Sequence, residues 1–256
     1  MIVEGANVLI TGGSEGIGYG LAARFLKAGS RVLVTGRDAI KLTKAARELP
    51  GLETYVSDMG KSQDREALAQ YVAGQMTPLH WVINNAGIQR RIALAQDTAL
   101  WSERQPEIDI LLSGPVHLNH LLIPVLLHHD GPSRIVNVTS GGAYIPQVFA
   151  PMYSACKAAL HSYTMTLRYA LANTSCGVVE LIPPAVMTNL AGNGQPHGAD
   201  RDAFCDHVFQ SLLIDSLETV GYGPTEQLEP QLSGQSVSKL FETSASRFPV
   251  ERYSQG

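Results

Sequence analysis

What this 256-residue sequence has little of narrows its class first. Charge is sparse: 16% of residues are Asp, Glu, Lys or Arg, with 19 basic against 23 acidic and a net charge of −4. The basic residues are scattered and in no excess, so neither a nucleic acid nor an anionic membrane is expected as a partner. Cysteine is rare and odd in number. Cys156, Cys176 and Cys205 show no metal-ligand spacing, which argues against a disulfide framework and suits a reducing compartment. They read as packing residues, with a reactive thiol as the alternative for Cys156 beside Lys157. The first residues show no charged, apolar, cleavable leader, and no apolar run approaches the roughly 20 residues of a membrane span. A soluble, cytoplasmic protein is the expectation. A hydrophobic content of 45% is enough for one large core, so one domain is expected over residues 1–229, followed by a tail or extension at 230–256.

What is present is an alternation of short apolar strands with helical patterns. Val8-Leu9-Ile10 reads as a strand that passes directly into Thr11-Gly-Gly-Ser-Glu-Gly16-Ile-Gly18. A helix follows, with Leu21, Ala22, Phe25 and Leu26 on one side and Gly29 as its C-cap. Strand, glycine loop and helix is the arrangement that binds a dinucleotide. Glycine lets backbone approach a pyrophosphate, and the helix N-terminus offers it free N–H groups and a favourable dipole. Gly12, Ser14, Glu15, Gly16, Ile17 and Gly18 are the candidate contacts, although glycines in a loop also simply make turns.

The second strand, Arg31–Thr35, ends in Gly36-Arg37-Asp38. At this strand end an acidic residue hydrogen-bonds an adenosine ribose, whereas an arginine accommodates a 2′-phosphate. Arg37 therefore points to NADP rather than NAD, and Asp38 to the N-cap of a helix over 39–49. A solvated surface arginine is the alternative, and Glu15 stands where a second basic residue would have helped. The third strand, Thr54–Ser57, leads to Asp58 and Met59 as cofactor contacts, with Asp58 either bonding the adenine amine or capping a turn. Ser62 opens a helix to about Met76. Trp81–Asn84 makes a fourth strand running into Asn85, Ala86 and Gly87, small residues at the edge where open α/β sheets bind ligands.

Residues 105–129 read as one helix rich in Leu and Ile, bent just before Pro115 because proline removes an i to i−4 bond. His117, His120, His128 and His129 crowd it without acidic partners, so packing rather than a metal site is the reading. A fifth strand, Arg134–Ser140, delivers Ser140 to the ligand edge. Tyr153-Ser-Ala-Cys-Lys157 then opens a helix to about Asn173. Positions i and i+4 share a face, which points the phenol and the ammonium into one cleft. A nearby cation lowers a phenol's pKa toward neutrality and fits it for general acid–base work. A serine hydroxyl in the same pocket would hold a carbonyl oxygen while its charge changes. By chance, such a Tyr–Lys pair also occurs on solvated helix faces. A sixth strand, 177–182, ends at Pro183, with Val186 and Thr188 placed to contact a nicotinamide. A substrate lid is expected at about 190–217, loop-like over 192–198 and helical over 202–217. Alternating β and α segments with nearly continuous apolar strands predict an α/β, doubly wound parallel sheet of the Rossmann type, with helices on both faces.

Thr11-Gly12-x-x-x-Gly16-x-Gly18, Asn84-Asn85-Ala86-Gly87, Ser140 and Tyr153-x-x-x-Lys157 together resemble the short-chain dehydrogenase/reductase family, over about residues 5–190. Pro183-Pro184, the run 204–214 and the segment 221–226 further resemble its DltE-like branch. The resemblance implies an oxidoreductase moving hydride between NADP and a small-molecule carbonyl or alcohol, here expected to be small or medium-sized and apolar. It implies that Tyr153 passes the proton, Lys157 lowers its pKa and binds the nicotinamide ribose, and Ser140 orients the substrate oxygen. A homodimer or homotetramer is implied as well. One residue departs from the pattern: Leu111 stands where most members carry an asparagine that holds a helix kink and a water linking the lysine to solvent. The expected consequence is a relay kept by the backbone carbonyl, but slower. Leu111 and the serine-rich tail, which lacks the family's usual glycine-rich ending, suggest a second class of function: a nucleotide-binding sensor with weak or no catalysis.

Overall fold

A computed structural model describes residues 2–92, 94–190, 198–226 and 228. Seven strands form one sheet: β1 (Asn7–Thr11), β2 (Arg31–Gly36), β3 (Glu53–Val56), β4 (Trp81–Asn84), β5 (Ser133–Val138), β6 (Cys176–Leu181) and β7 (Thr219–Val220). Their order across the sheet is β3-β2-β1-β4-β5-β6-β7, and every pairing is parallel. Among the described residues seven α-helices accompany them: α1 (Gly16–Lys27), α2 (Ala39–Glu48), α3 (Ser62–Gln75), α4 (Trp101–Ile108), α5 (Gly114–Leu126), α6 (Pro151–Leu171) and α7 (Arg201–Leu212).

The apolar strands follow from having both faces covered. Successive side chains point to opposite faces of a strand, and the core divides accordingly. Val8, Ile10, Val34 and Ile83 pack with Phe25 of α1 and with Phe204 and Phe209 of α7. Leu9, Leu33, Val82 and Ile135 pack with Leu68 of α3, Leu122 of α5 and Leu167 of α6. Polar order runs through the second layer as well. Asn84 of β4 donates to Asn119 of α5 (2.8 Å) and Asn137 of β5 (2.9 Å), and Asn137 donates to Thr164 of α6 (2.9 Å). These four residues are buried, where directed hydrogen bonds are strong because water does not compete.

Three features differ from the sequence reading. β7 is two residues long, too short to leave a period. The helix expected over 105–129 begins at Trp101 and is interrupted by a π-helical turn, Asp109–Ser113, at the place where a bend before Pro115 is expected. Proline at 115 has no N–H for the carbonyl of Leu111, so the α ladder breaks there. The continuous helix Trp101–Leu126 is also long and apolar enough to cross a membrane by length and composition. Four of its apolar residues, Ile110, Leu118, Leu122 and Leu126, are buried in the layer shared with α3 and α6.

Candidate active site

In a parallel sheet all strands end at the same edge, and ligands bind outside those carboxyl ends. Here the segments leaving β1, β2, β4, β5 and β6 enclose a cavity of about 550 Å³. Its floor is shaped by backbone. Gly12 (φ +67) and Gly16 (φ +63) adopt left-handed conformations that suit glycine. A Cβ on Gly12 would lie 2.7 Å from the Cα of Ala86. Thr11 Oγ1 accepts from the N–H of Asn85 and of Ala86 (3.0 Å each), and Asn85 Nδ2 donates to the carbonyls of Thr11 and Gly12 (3.0 and 2.9 Å). The two strand-end loops are thereby locked together.

Ser14, Glu15, Gly16 and Ile17 line the cavity with Gly12. Gly18 stands behind them: a Cβ there would meet the Gly12 carbonyl oxygen at 2.5 Å, so this glycine lets α1 approach the loop. Arg37 lines the cavity and has no ion-pair partner among the described residues. Asp38 accepts from the N–H of Ile40 (2.9 Å) and of Lys41 (3.1 Å), the capping role expected of it. Lys41, absent from the sequence reading, also lines the cavity and pairs with Glu15 at 2.7 Å. Asp58 and Met59 line the same end; Asp58 Oδ1 caps a turn by accepting from the Gly60 N–H (2.9 Å). Thr35 lines it too, with a buried hydroxyl oxygen that lacks a partner among the described residues.

At the other end stand Ala86, Gly87, Ser140, Tyr153 and Lys157, with Pro183, Val186 and Thr188 closing the side. Ser140, Tyr153 and Lys157 are each more than nine-tenths buried. Lys157 Nζ donates to the Val138 carbonyl (2.6 Å) and lies 5.6 Å from the centroid of the Tyr153 ring. Burial pushes the ammonium down to about 8. Burial also raises the Tyr153 phenol above its ordinary value, while the Ser140 hydroxyl pulls it back. This corrects the expected net lowering by Lys157: desolvation disfavours the phenolate more than its surroundings favour it.

Ser140 is anchored on both sides through one buried carboxylate. Glu180 accepts from Thr139 Oγ1 (2.6 Å) and from the Tyr144 hydroxyl (3.2 Å), and pairs with His161 (2.8 Å). Ser140 Oγ in turn accepts from the Gly142 N–H (3.1 Å).

Leu111 packs with Ala150, Tyr153 and Cys156. Beside it is a cavity of about 10 Å³ lined by Leu111, Asn84, Thr11 and Lys157, among others. That is room for about one water, and the buried Asn84 Oδ1 has no partner among the described residues. All three cysteines are buried, and burial pushes Cys156 and Cys176 up to about 11 and Cys205 to about 12, which disfavours a reactive thiolate at Cys156. His117 accepts from Arg65 Nε (3.0 Å), and His129 bonds the Leu79 carbonyl (2.9 Å). Of the expected lid, α7 packs on α1, with Cys205 against Gly20, while Thr188, Asn189 and Leu190 reach the cavity. Residues 191–197 and the tail at 229–256 lie outside the described residues.

A further set that carries no motif, Gln89, Arg91, Gln147 and Phe149, also lines the catalytic end. They make it more polar than the apolar substrate pocket expected.

The sequence profile of the short chain dehydrogenase family matches residues 6–197. The chain is 42% identical over 183 residues to the uncharacterized oxidoreductase DltE of Bacillus subtilis (strain 168), covering 72% of each. It is 34% identical over 200 residues to the NADPH-dependent 1-acyldihydroxyacetone phosphate reductase of Schizosaccharomyces pombe, covering 77% of this chain and 64% of that one. Its fold superimposes with a TM-score of 0.80 on a short chain dehydrogenase/reductase from Burkholderia phymatum in complex with NAD, at 19% identity and covering 99% and 100% of the two chains. By sequence and by fold, the chain belongs to the short chain dehydrogenase family.

Proposed function

We propose that the chain is an NADP-dependent oxidoreductase that interconverts a small-molecule carbonyl and alcohol, with Tyr153 as the proton-transfer group. The observation that carries this reading is the convergence of Ser140, Tyr153 and Lys157, all buried, on one end of a cavity whose other end is a glycine-built cradle. That cradle fits a dinucleotide: a side chain on Gly12 would collide with Ala86 and part the two strand-end loops that form it, and the Thr35 hydroxyl oxygen at its nucleotide end has no partner among the described residues.

When bound, the nicotinamide dinucleotide supplies or accepts the hydride. The chain's own residues handle the proton and the oxygen. Tyr153 gives its phenolic proton to the forming alkoxide in reduction and takes it back in oxidation. Ser140, held by the Glu180 anchor, steadies the same oxygen. Lys157 brings a positive charge to the site and favours the phenolate left after transfer. The small cavity beside Lys157, with Asn84 Oδ1 as an acceptor, supports a relay water despite the leucine at 111.

Preference for NADP rests on charge. Arg37 is unpaired among the described residues, Asp38 is engaged as a helix cap, and Glu15 is neutralised by Lys41. The nucleotide end therefore offers cations to a 2′-phosphate. The buried thiols fit a cytoplasmic setting. Exposed Leu100 and Trp101 at the start of α4 provide apolar surface for a homodimer or homotetramer.

The test follows NADPH absorbance over a panel of aldehydes and ketones, alongside NADPH and NADH affinities. NADPH oxidation with at least one carbonyl is expected. Tight cofactor binding without turnover of any carbonyl would favour the sensor reading.

A further inference from the structure

The catalytic end of the cavity carries a cation with no counter-ion of its own. Arg91 is exposed, lines the cavity, and has no ion pair among the described residues. Its neighbour Arg90 is tied down differently: its side chain donates to the Glu103 carbonyl and its N–H to Glu107. The carboxylates that line the cavity, Glu15, Asp38 and Asp58, all belong to the nucleotide end, where Glu15 pairs with Lys41 and the other two cap backbone N–H groups. Among the described residues that line the substrate side, the charged ones are Arg91 and Lys157, so they give it a positive field.

Arg91 is also held in place. Its guanidinium carbon lies 4.6 Å from the centroid of the Phe149 ring. A cation held over an aromatic ring is attracted by the ring's quadrupole, and a guanidinium with five N–H donors keeps donors for a forked oxyanion. The two loops involved are stitched together by the Ile92 N–H donating to the Phe149 carbonyl (3.0 Å) and by Gln89 donating to Gln147 (3.3 Å). Gln147 is fixed in turn by its backbone N–H, which donates to Ser154 Oγ at 2.9 Å, one residue from Tyr153. The cation is therefore registered against the proton-transfer residue.

The geometry points to Arg91, stacked on Phe149, as an anion subsite, and to a substrate whose reacting carbonyl or alcohol is accompanied by a carboxylate or another oxyanion group. This inference rests on the oxidoreductase reading for the identity of the reacting group, and the experiment separates the two. Matched pairs of oxo acids and their methyl esters, with different spacings between carbonyl and carboxylate, are compared as substrates with NADPH; sulfonate and phosphate analogues identify the preferred oxyanion. In wild type, kcat/KM for at least one acid is expected to exceed that of its ester by about tenfold or more. Arg91→Gln is expected to lower that acid-to-ester ratio by about 10- to 100-fold and Arg91→Lys by less, because lysine keeps the charge but loses the fork. Arg90→Gln, which removes a neighbouring charge outside the cavity, is expected to leave the ratio in place. In parallel, calorimetry measures binding of the same oxo acids to the NADP-loaded protein, where Arg91→Gln is expected to bind at least about tenfold more weakly. Turnover of acids and esters at equal efficiency in every pair, or a ratio unchanged in Arg91→Gln, overturns the subsite and leaves the oxidoreductase standing. Arginine-dependent binding of the acids without any turnover upholds the subsite and overturns the oxidoreductase. Neither turnover nor Arg91-dependent binding overturns both.

Discussion

The nucleotide end of the cavity and its substrate end are made of different material. The first is backbone: glycines at positive φ, strand-end loops locked by Thr11 and Asn85, and a capped helix after β2. The second is side chains on two loops, 88–92 and 145–150, joined to each other and to the start of α6 by a few bonds. A backbone cradle accepts one ligand shape and tolerates little change. Side chains on loops change without disturbing the sheet, so the same catalytic residues serve many substrates.

The division is tested most severely at the boundary between the two ends. Tyr153→Phe is expected to lower kcat by about 10² to 10⁴-fold, the usual size of a lost general acid, while NADPH affinity measured by fluorescence changes little. Comparable loss of cofactor binding would show that the ends are not separable. Arg37→Ala is the corresponding change within the nucleotide end. Titration should show NADPH weakened by about 10- to 100-fold, the scale of one or two charge-assisted bonds, with NADH little affected; equal effects on both would defeat the NADP preference.

A subtler test uses pH. Lys157 is held at about 8 against an ordinary 10.5. Between those values the unfolded chain keeps a proton that the folded protein has released, so this group makes stability rise with pH across that window. Thermal melts from pH 7.5 to 10.5 should show wild type gaining on Lys157→Met. A gap that does not move would mean that the buried amine is not desolvated as described. The smallest effect is expected at Leu111. Since the helix takes a π-helical turn at this position without an asparagine, Leu111→Asn is expected to change turnover by less than about threefold and to destabilise by about 1–3 kcal/mol, because an amide enters the apolar cluster with Tyr153 and Cys156. A clear gain in turnover would restore the view that leucine slows the relay.

Legibility in the sequence followed the same division. Six of the seven strands and the residues at their ends could be read, because doubly buried strands leave apolar runs and a phosphate cradle requires glycine. Gln89 and Gln147 could not be paired: they lie 58 positions apart in loops without a period. Arg91 looked like any other arginine until the fold put it across from Phe149. Gly18 shows a further limit, because spacing does not distinguish a glycine that meets a ligand from one that lets a helix approach its own loop. The direction of the Tyr153 shift was missed for a related reason, since a motif shows the neighbouring charge but not the depth of burial.

The chain of hydrogen bonds from Asn84 through Asn137 to Thr164 has a consequence for aim. Greasy contacts alone would let a helix slip along a sheet by a fraction of a turn, whereas directed bonds admit a single register. Thr164 is about three turns farther along the same rod as Tyr153. The reach of the phenol is thus gauged from deep beneath the sheet, and the mouth of the cleft is left free to diversify without detuning it.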